Sequence, residues 1–362
     1  MYPALTVVDA LTKQVEDKER EPSEVLYVGS PDGIEKEIVG RVGLPYRAVD
    51  AGQVRGMSPL TMLQSLGHLA RGYGQASRLL REWPADVALV TGGYVTVPVA
   101  LAVWRRRIPL MVYLPDLEPG WAIRFLSFFA TRIAVSFEEV CRFFPAHKVW
   151  VSGYPVREAL FHTDRQAGYE TLKLDPARQT LLVFGGSRGA QSINRAVMDI
   201  LPDLLPVCQV IHISGQGNWE WVCQRRSQLP ADLLVHYHPY PYLEKELPAA
   251  FATADLVVAR AGAATLAEWP ALGLPSILVP YPYSGQHQQR NADFMVEHGA
   301  SVCIDDGALD KQLKPTIMRL LQDEQRLKEM GAKAQTLSRP DAAQRMAAEL
   351  QRLAYLRGGR TR

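Results

Sequence analysis

The chain has 362 residues, 47% of them hydrophobic and 22% charged, with 27 glycines and 25 prolines. Those values suit a folded protein with room for two cores and exclude disordered, collagen-like and low-complexity classes. Forty Lys and Arg against 38 Asp and Glu leave a formal charge of +2, so nucleic acid is not expected as a partner and electrostatic docking falls to local patches. Cys141, Cys208, Cys223 and Cys303 are widely spaced without a CxxC pair; reduced cytoplasmic thiols are expected, and no metal site.

The opening MYPALTVVDALTKQ has helical periodicity, and neither the basic start nor the long apolar core of a signal peptide. Short β-branched runs then alternate with helical stretches and glycine turns, the sequence form of a parallel sheet wound with helices, an α/β class. In the first half the expected strands are 25–28, 87–91, 110–113, 132–135 and 149–152. In the second half they are 180–184, 210–214, 234–237, 256–259, 276–279 and 302–304. Helices are expected at 59–82, 191–201, 264–272 and 288–297. The apolar runs at 97–103 and 125–135 are too short, or carry Arg132, for a bilayer span of about 18 to 20 residues. GYPVRE at 153–158 punctuates the chain before a polar stretch, which divides it into 1–157, 158–340 and a closing segment 341–362 expected to pack back on the first part. That segment is a helix over 342–356 followed by the basic tail RGGRTR.

Two loops in the second half carry chemistry. In LLVFGGSRGAQSIN an apolar strand runs through Gly185, Gly186 and Gly189 into a helix, and Ser187 adds a hydroxyl at the helix entry. Free backbone amides and the helix dipole make an anion seat, or simply a tight turn without a ligand. DLVVARAGAATLAEWPALGLPSILVPYP repeats the pattern, with the amides of Ala263, Ala264 and Thr265 in the orphan first turn. Glu268 lies one turn further along. A carboxylate beside a phosphate site suits the paired hydroxyls of a ribose, although a solvated helix Glu is the commoner fate of such a residue. His287 and Gln288, at the start of another helix, offer groups for sugar hydroxyls or for helix capping. No GxGxxG occurs and both phosphate-type turns sit in the second half, which disfavours a dehydrogenase.

The ordered set GGYVTVPVA, SGYPVRE, FGGSRGAQSIN, DLVVARAGAATLAE, GLPSILVPYP and HQQRNA resembles the MurG-type N-acetylglucosaminyltransferases over nearly the whole chain. The resemblance implies the glycosyltransferase B fold, two Rossmann-like domains facing a cleft. It also implies inverting, metal-independent transfer of N-acetylglucosamine from UDP-GlcNAc to a polyprenyl-diphosphate-linked muramyl peptide, lipid I to lipid II. UDP-GlcNAc is then a substrate and no cofactor is implied.

On the donor side the resemblance implies a diphosphate loop at Gly186, Ser187, Arg188 and Gly189, with Arg188 standing where an uncharged residue is more usual. It implies uracil contacts from Arg157, Tyr242 and Leu243, a second phosphate-facing turn at Ala263, Ala264 and Thr265, ribose binding by Glu268 and sugar reading by His287 and Gln288. On the acceptor side it implies a glycine loop at Gly92, Gly93 and Tyr94. The family's His-Glu-Gln-Asn run is replaced here, with Leu114, Pro115 and Asp116 in place of its last three residues and Ile123 in place of a later Asn. Asp116 and Glu118 become the candidate general base, or a turn-forming pair.

Arg78, Arg81, Arg105, Arg106 and Arg107 beside Leu79, Leu80, Trp83 and Trp104 form a basic and aromatic mix suited to an anionic membrane surface. The family likeness implies peripheral attachment at the cytoplasmic face and a wall-synthesis and division complex. Two other readings stand beside it: a glycolipid transferase of the same fold using UDP-hexose and diacylglycerol, and a silent nucleotide-sugar-binding scaffold. Finally, MYPAL matches the end of a loop that reads GGTGGHxxPAL in the family. A first strand and that loop, with its histidine, are therefore expected ahead of Met1, and a sheet without that strand is expected to expose two edges.

Overall fold

The computed structural model describes residues 2–16, 23–31, 33, 35–51, 59–186, 189–283 and 287–358. They form two compact units, 1–155 with 339–362 and 156–338.

The first unit runs α1 (Tyr2–Glu16), β1 (Tyr27–Gly29), α2 (Glu35–Arg41), β2 (Tyr46–Ala48), α3 (Pro59–Glu82), β3 (Ala88–Val90), α4 (Thr96–Arg105), β4 (Leu110–Leu114), α5 (Trp121–Ser127), β5 (Arg132–Val135) and β6 (Val149–Val151). All strands are parallel, in two pieces: a pair β1-β2 and a four-stranded sheet β3-β4-β5-β6. All five residues of β4 are buried, the signature of a parallel strand covered on both faces.

The second unit contains α6 (Arg165–Leu172), β7 (Thr180–Phe184), α7 (Gln191–Leu204), β8 (Gln209–Ile213), α8 (Trp219–Arg226), α9 (Ala231–Leu234), β9 (Tyr237–Tyr240), α10 (Leu247–Thr253), β10 (Leu256–Ala259), α11 (Thr265–Leu272), β11 (Ser276–Leu278), α12 (His287–Glu297), β12 (Ser301–Cys303), α13 (Leu309–Gln322) and α14 (Glu324–Thr336). Its sheet has the order β12-β11-β10-β7-β8-β9. The chain leaves β7 toward β8 and β9, then returns to the other side of β7 for β10, so the order reverses between β7 and β10. Ile193, Val197 and Leu201, spaced four apart on α7, pack with Leu181, Val183 and Val258 of the strands, as an amphipathic helix over a sheet must. The last helix, α15 (Ala342–Gly358), belongs to the first unit. Its Met346, Leu350 and Leu353 share a core with Val7 of α1 and Met111 and Tyr113 of β4.

Most expected strands lie where the apolar runs placed them; 234–237 does not. Residues Ala231–Leu234 form a helical turn and the strand is Tyr237–Tyr240. Pro239 inside it is tolerated because β9 is an edge, with β8 on one side only, so the missing N–H costs no ladder bond on the open side. Strand β2, with Arg47 exposed, was not read from the sequence at all.

Among the described residues the outer edges of β1 and β3 carry no strand partner. They line one cavity of about 390 Å³ together with Val7, Leu79, Leu80, Trp83 and Leu350. Leu79, Leu80 and Trp83 therefore face the interior of this unit, and of the basic and aromatic mix only Trp104, 51% exposed, brings a large apolar surface to solvent.

Candidate functional site

At the carboxyl end of β3 the chain turns through Gly92 (φ 95°) and Gly93 (φ 92°), a left-handed pair that only glycine adopts without strain. The turn ends where the Thr96 hydroxyl donates to the Gly93 carbonyl at 2.6 Å, opening α4; Tyr94 at its tip is exposed. The neighbouring strand β4 ends in the loop bearing Asp116 and Glu118, both half-buried. The two loops meet where Ile123 Cδ1 lies 3.5 Å from the position a Gly92 side chain would start. Ile123 itself is buried, so the residue replacing the family Asn packs as core. Beyond it, Trp104, Phe129, Phe125 and Trp121 make successive ring contacts at 5.1, 5.2 and 5.7 Å. Trp121 and Phe128 are 57% and 78% exposed, and Arg105, Arg106, Arg107 and Arg124 are exposed around them.

In the second unit three strand-to-helix turns line the carboxyl edge of the sheet, after β7, β10 and β11. The first two flank the point where strand order reverses, the usual ligand position in an open parallel sheet. After β7, Gly189 has φ 74° and lies so close to the Ser214 carbonyl that no side chain fits. Gly186 also adopts a positive φ of 81°. Ser187 and Arg188 lie outside the described residues. Asn194, one turn into α7, donates to the Ser214 carbonyl at 2.8 Å and accepts at its Oδ1 in a 3.0 Å contact with His212 Nε2.

After β10, residues Gly262, Ala263 and Ala264 lead into α11, where the Thr265 hydroxyl donates to the Arg260 carbonyl at 3.0 Å. Glu268, one turn along, is buried. Its Oε1 accepts from Arg157 Nη2 at 3.0 Å and Nε at 3.3 Å. Desolvation raises the Glu268 pKa, and the Arg157 guanidinium opposes the rise by charge and hydrogen bond. The ribose and uracil candidates are thus paired with each other.

After β11, the Gln288 side chain accepts from the Tyr281 amide at 2.9 Å, and Asn291 donates to the Ala261 carbonyl at 2.9 Å. His287 is exposed. Tyr242 and Leu243 stand after β9, exposed and buried respectively. They lie four strand spacings from the β11 turn in the sheet order, roughly 19 Å.

Three participants were not singled out from the sequence. Arg260 reaches Ser192 and Asp306, and Asn291 ties α12 to the β10 turn. Arg260 and Asn291 stood inside the quoted motifs; Asp306, in a remote acidic turn, gave no local signal.

Residues 180–346 match the glycosyltransferase family 28 C-terminal domain and residues 1–135 its N-terminal domain. The chain is 41% identical to the UDP-N-acetylglucosamine–N-acetylmuramyl-(pentapeptide) pyrophosphoryl-undecaprenol N-acetylglucosamine transferase of Roseiflexus sp. (strain RS-1), over 92% of this chain and 84% of that relative. It is 37% identical to the same-named protein of Desulforamulus reducens, over 94% and 92%. The structure is similar to the crystal structure of Acinetobacter baumannii MurG, with a TM-score of 0.71 at 23% identity and 96% of each chain covered. It is also similar to a UDP-GlcNAc 2-epimerase from Neisseria meningitidis, with a TM-score of 0.68 at 13% identity and 97% of each chain covered; these likenesses bear on the fold, the glycosyltransferase B type. With both domains of glycosyltransferase family 28 in order and relatives above one-third identity along nearly its whole length, the chain belongs to the MurG family of N-acetylglucosaminyltransferases.

Proposed function

We propose that this chain transfers N-acetylglucosamine from UDP-GlcNAc to the N-acetylmuramyl sugar of a pyrophosphoryl-undecaprenol-linked acceptor, converting lipid I to lipid II, and that the second unit holds the donor. The observation that carries the donor assignment is the pair of turns after β7 and β10 flanking the strand-order reversal, with the buried Glu268 carboxylate one turn inside α11.

In this reading the diphosphate lies across the first-turn amides of α7 and α11, whose dipoles favour negative charge. Glu268 accepts from the ribose hydroxyls, Arg157 and the 242–243 loop face uracil, and His287 with Gln288 reads the sugar. The acceptor hydroxyl oxygen bonds to the anomeric carbon while the bond from that carbon to the UDP oxygen breaks, inverting the centre. The hydroxyl proton passes to Asp116 or Glu118 as general base. The charge arriving on UDP is met by oriented amides and the Arg188 guanidinium in place of a metal.

The acceptor is lipid-linked, and the aromatic run from Trp104 to Trp121, ringed by arginines, is the surface that meets anionic headgroups. It combines rings suited to the interface with charges suited to acidic lipid. This supports a peripheral position at the cytoplasmic face of the membrane, within reach of a wall-synthesis complex.

The test is UDP release from UDP-GlcNAc with purified lipid I, run against UDP-glucose and UDP-galactose and repeated with a chelator. Turnover with UDP-GlcNAc, unchanged by the chelator, is expected. Release only with another donor, or none with any, would refute the assignment.

A further inference from the structure

Arg260 follows directly on β10, and its guanidinium is engaged by the turns around it. Nη1 donates to Asp306 Oδ1 at 2.5 Å and to the Val279 and Pro280 carbonyls at 3.2 and 3.3 Å. Nη2 donates to the Ser192 hydroxyl at 2.8 Å, and that hydroxyl donates in turn to Asp306 Oδ1 at 2.7 Å. The guanidinium lies over the Tyr281 ring, 5.2 Å from its centroid. Only 13% of the side chain is exposed.

Each of these partners belongs to a different part of the sheet edge. Ser192 is the second residue of α7, Val279 and Pro280 are the exit from β11, and Tyr281 begins the turn into α12. Asp306 precedes α13. Through its own carbonyl Arg260 also accepts from the Thr265 hydroxyl in the first turn of α11. One residue therefore ties the starts of both phosphate-facing helices to each other and to the start of the third turn.

A planar fork with five donors suits this task, because it holds several acceptors at fixed angles at once; a lysine offers one point of charge on a flexible stem. The ion pair with Asp306 answers the guanidinium charge within the protein.

We infer that Arg260 is a positioning residue for donor binding. Its fork, held by Asp306, sets the separation and aim of the first-turn amides of α7 and α11, and so acts on the diphosphate without touching it. The inference rests on the donor reading proposed above. It makes a specific demand on energetics: loss of the fork weakens ligands in proportion to their phosphates and leaves the nucleoside contacts alone.

Calorimetry with uridine, UMP and UDP on the full chain tests this, comparing the unaltered protein with Arg260→Gln, Arg260→Lys, Asp306→Asn and Ser192→Ala. The expected result for Arg260→Gln is about tenfold weaker UDP binding with uridine changed less than about twofold, and a raised KM for UDP-GlcNAc with kcat less affected. Arg260→Lys is expected to recover only part of the loss. Asp306→Asn is expected to weaken UDP in the same selective way, and to add little when combined with Arg260→Gln. Equal loss of uridine and UDP, or UDP binding within twofold of the unaltered chain, would overturn the inference while leaving the donor assignment standing. An unaltered chain that binds UDP no better than uridine would remove the donor assignment and this inference together.

Discussion

Arg157 and Glu268, 111 residues apart, meet in a two-point contact of 3.0 and 3.3 Å at a buried carboxylate. The pair supplies the countercharge that lets a carboxylate stay inside the second unit, and both of these contacts fall on Oε1. Glu268→Gln is expected to raise the KM for UDP-GlcNAc about ten- to a hundredfold, the range for losing a hydrogen bond to a charged acceptor. Because burial raises the Glu268 pKa against the pull of Arg157, donor affinity is expected to fall on acidification at a pH above the ordinary 4.5 of a glutamate and to be full on the alkaline side. The Gln variant loses that acid limb. Titrating UDP binding from pH 7.5 to 4.5 for both proteins checks the sign.

A second pH effect concerns stability. His212 is sealed between the Tyr237 hydroxyl at 2.8 Å and Asn194 Oδ1 at 3.0 Å, and burial lowers its pKa from 6.5 to about 4. The neutral ring is preferred in the fold, so stability is full above pH 6.5 and declines as pH falls from 6.5 toward 4, by at most about 3 kcal/mol. His238 is also lowered to about 4, by desolvation first and then by His236 and Arg226, so His212→Gln is expected to remove part of the slope. Urea midpoints measured across that window will show whether it does.

Asp116 and Glu118 stand in the loop after β4, beside the glycine turn after β3. If one of them takes the acceptor proton, replacing it with its amide is expected to lower kcat about a hundredfold or more with little change in KM for the donor. Asp116→Asn and Glu118→Gln enzymes that both turn over normally would dispose of the assignment.

The proposed membrane contact of the exposed rings can be tested directly. Trp121→Ser with Phe128→Ser is expected to abolish flotation with vesicles containing anionic phospholipid, and Arg105→Gln with Arg107→Gln to weaken it about thirtyfold, at about 1 kcal/mol per charge. Flotation independent of anionic lipid would refute the electrostatic part.

The divided sheet of the first unit carries its own expectation. The Tyr27 amide donates to the Pro45 carbonyl and the Gly29 carbonyl accepts from the Val49 amide, so these residues face β2 and the intervening Val28 turns its peptide groups toward the cavity. Leu89 does the same on β3, since the Ala88 amide is engaged by Pro109. Hydrogen exchange at Val28 and Leu89 is expected to be at least tenfold faster than in β4 or β7, because among the described residues these edges have no strand partner. Equal protection would show the edges closed in solution.

Much of this architecture was legible in the residues because parallel strands buried on both faces are written as apolar runs; 132–135, 180–184 and 256–259 coincide with the observed strands. β9 was misplaced because Leu233, Leu234 and Val235 look like a strand while Tyr-His-Pro-Tyr does not. Edge position, a property of the whole sheet, decides that case. In the site, glycine spacing disclosed the turns after β3, β7 and β10. The partnership of Arg157 with Glu268 and the reach of Arg260 to Asp306 depend on residues brought from different elements, which no local pattern encodes.

The seating of α15 has a consequence for how the protein is made. Met346, Leu350 and Leu353 share a core with Val7 and Ala10, so the core of the first unit is complete only once α15 has been synthesised. The second unit, whose segment is continuous from 156 to 338, has all its parts earlier. The second unit is therefore expected to be able to fold first during vectorial synthesis, and cleavage just before α15 is expected to unseat α1.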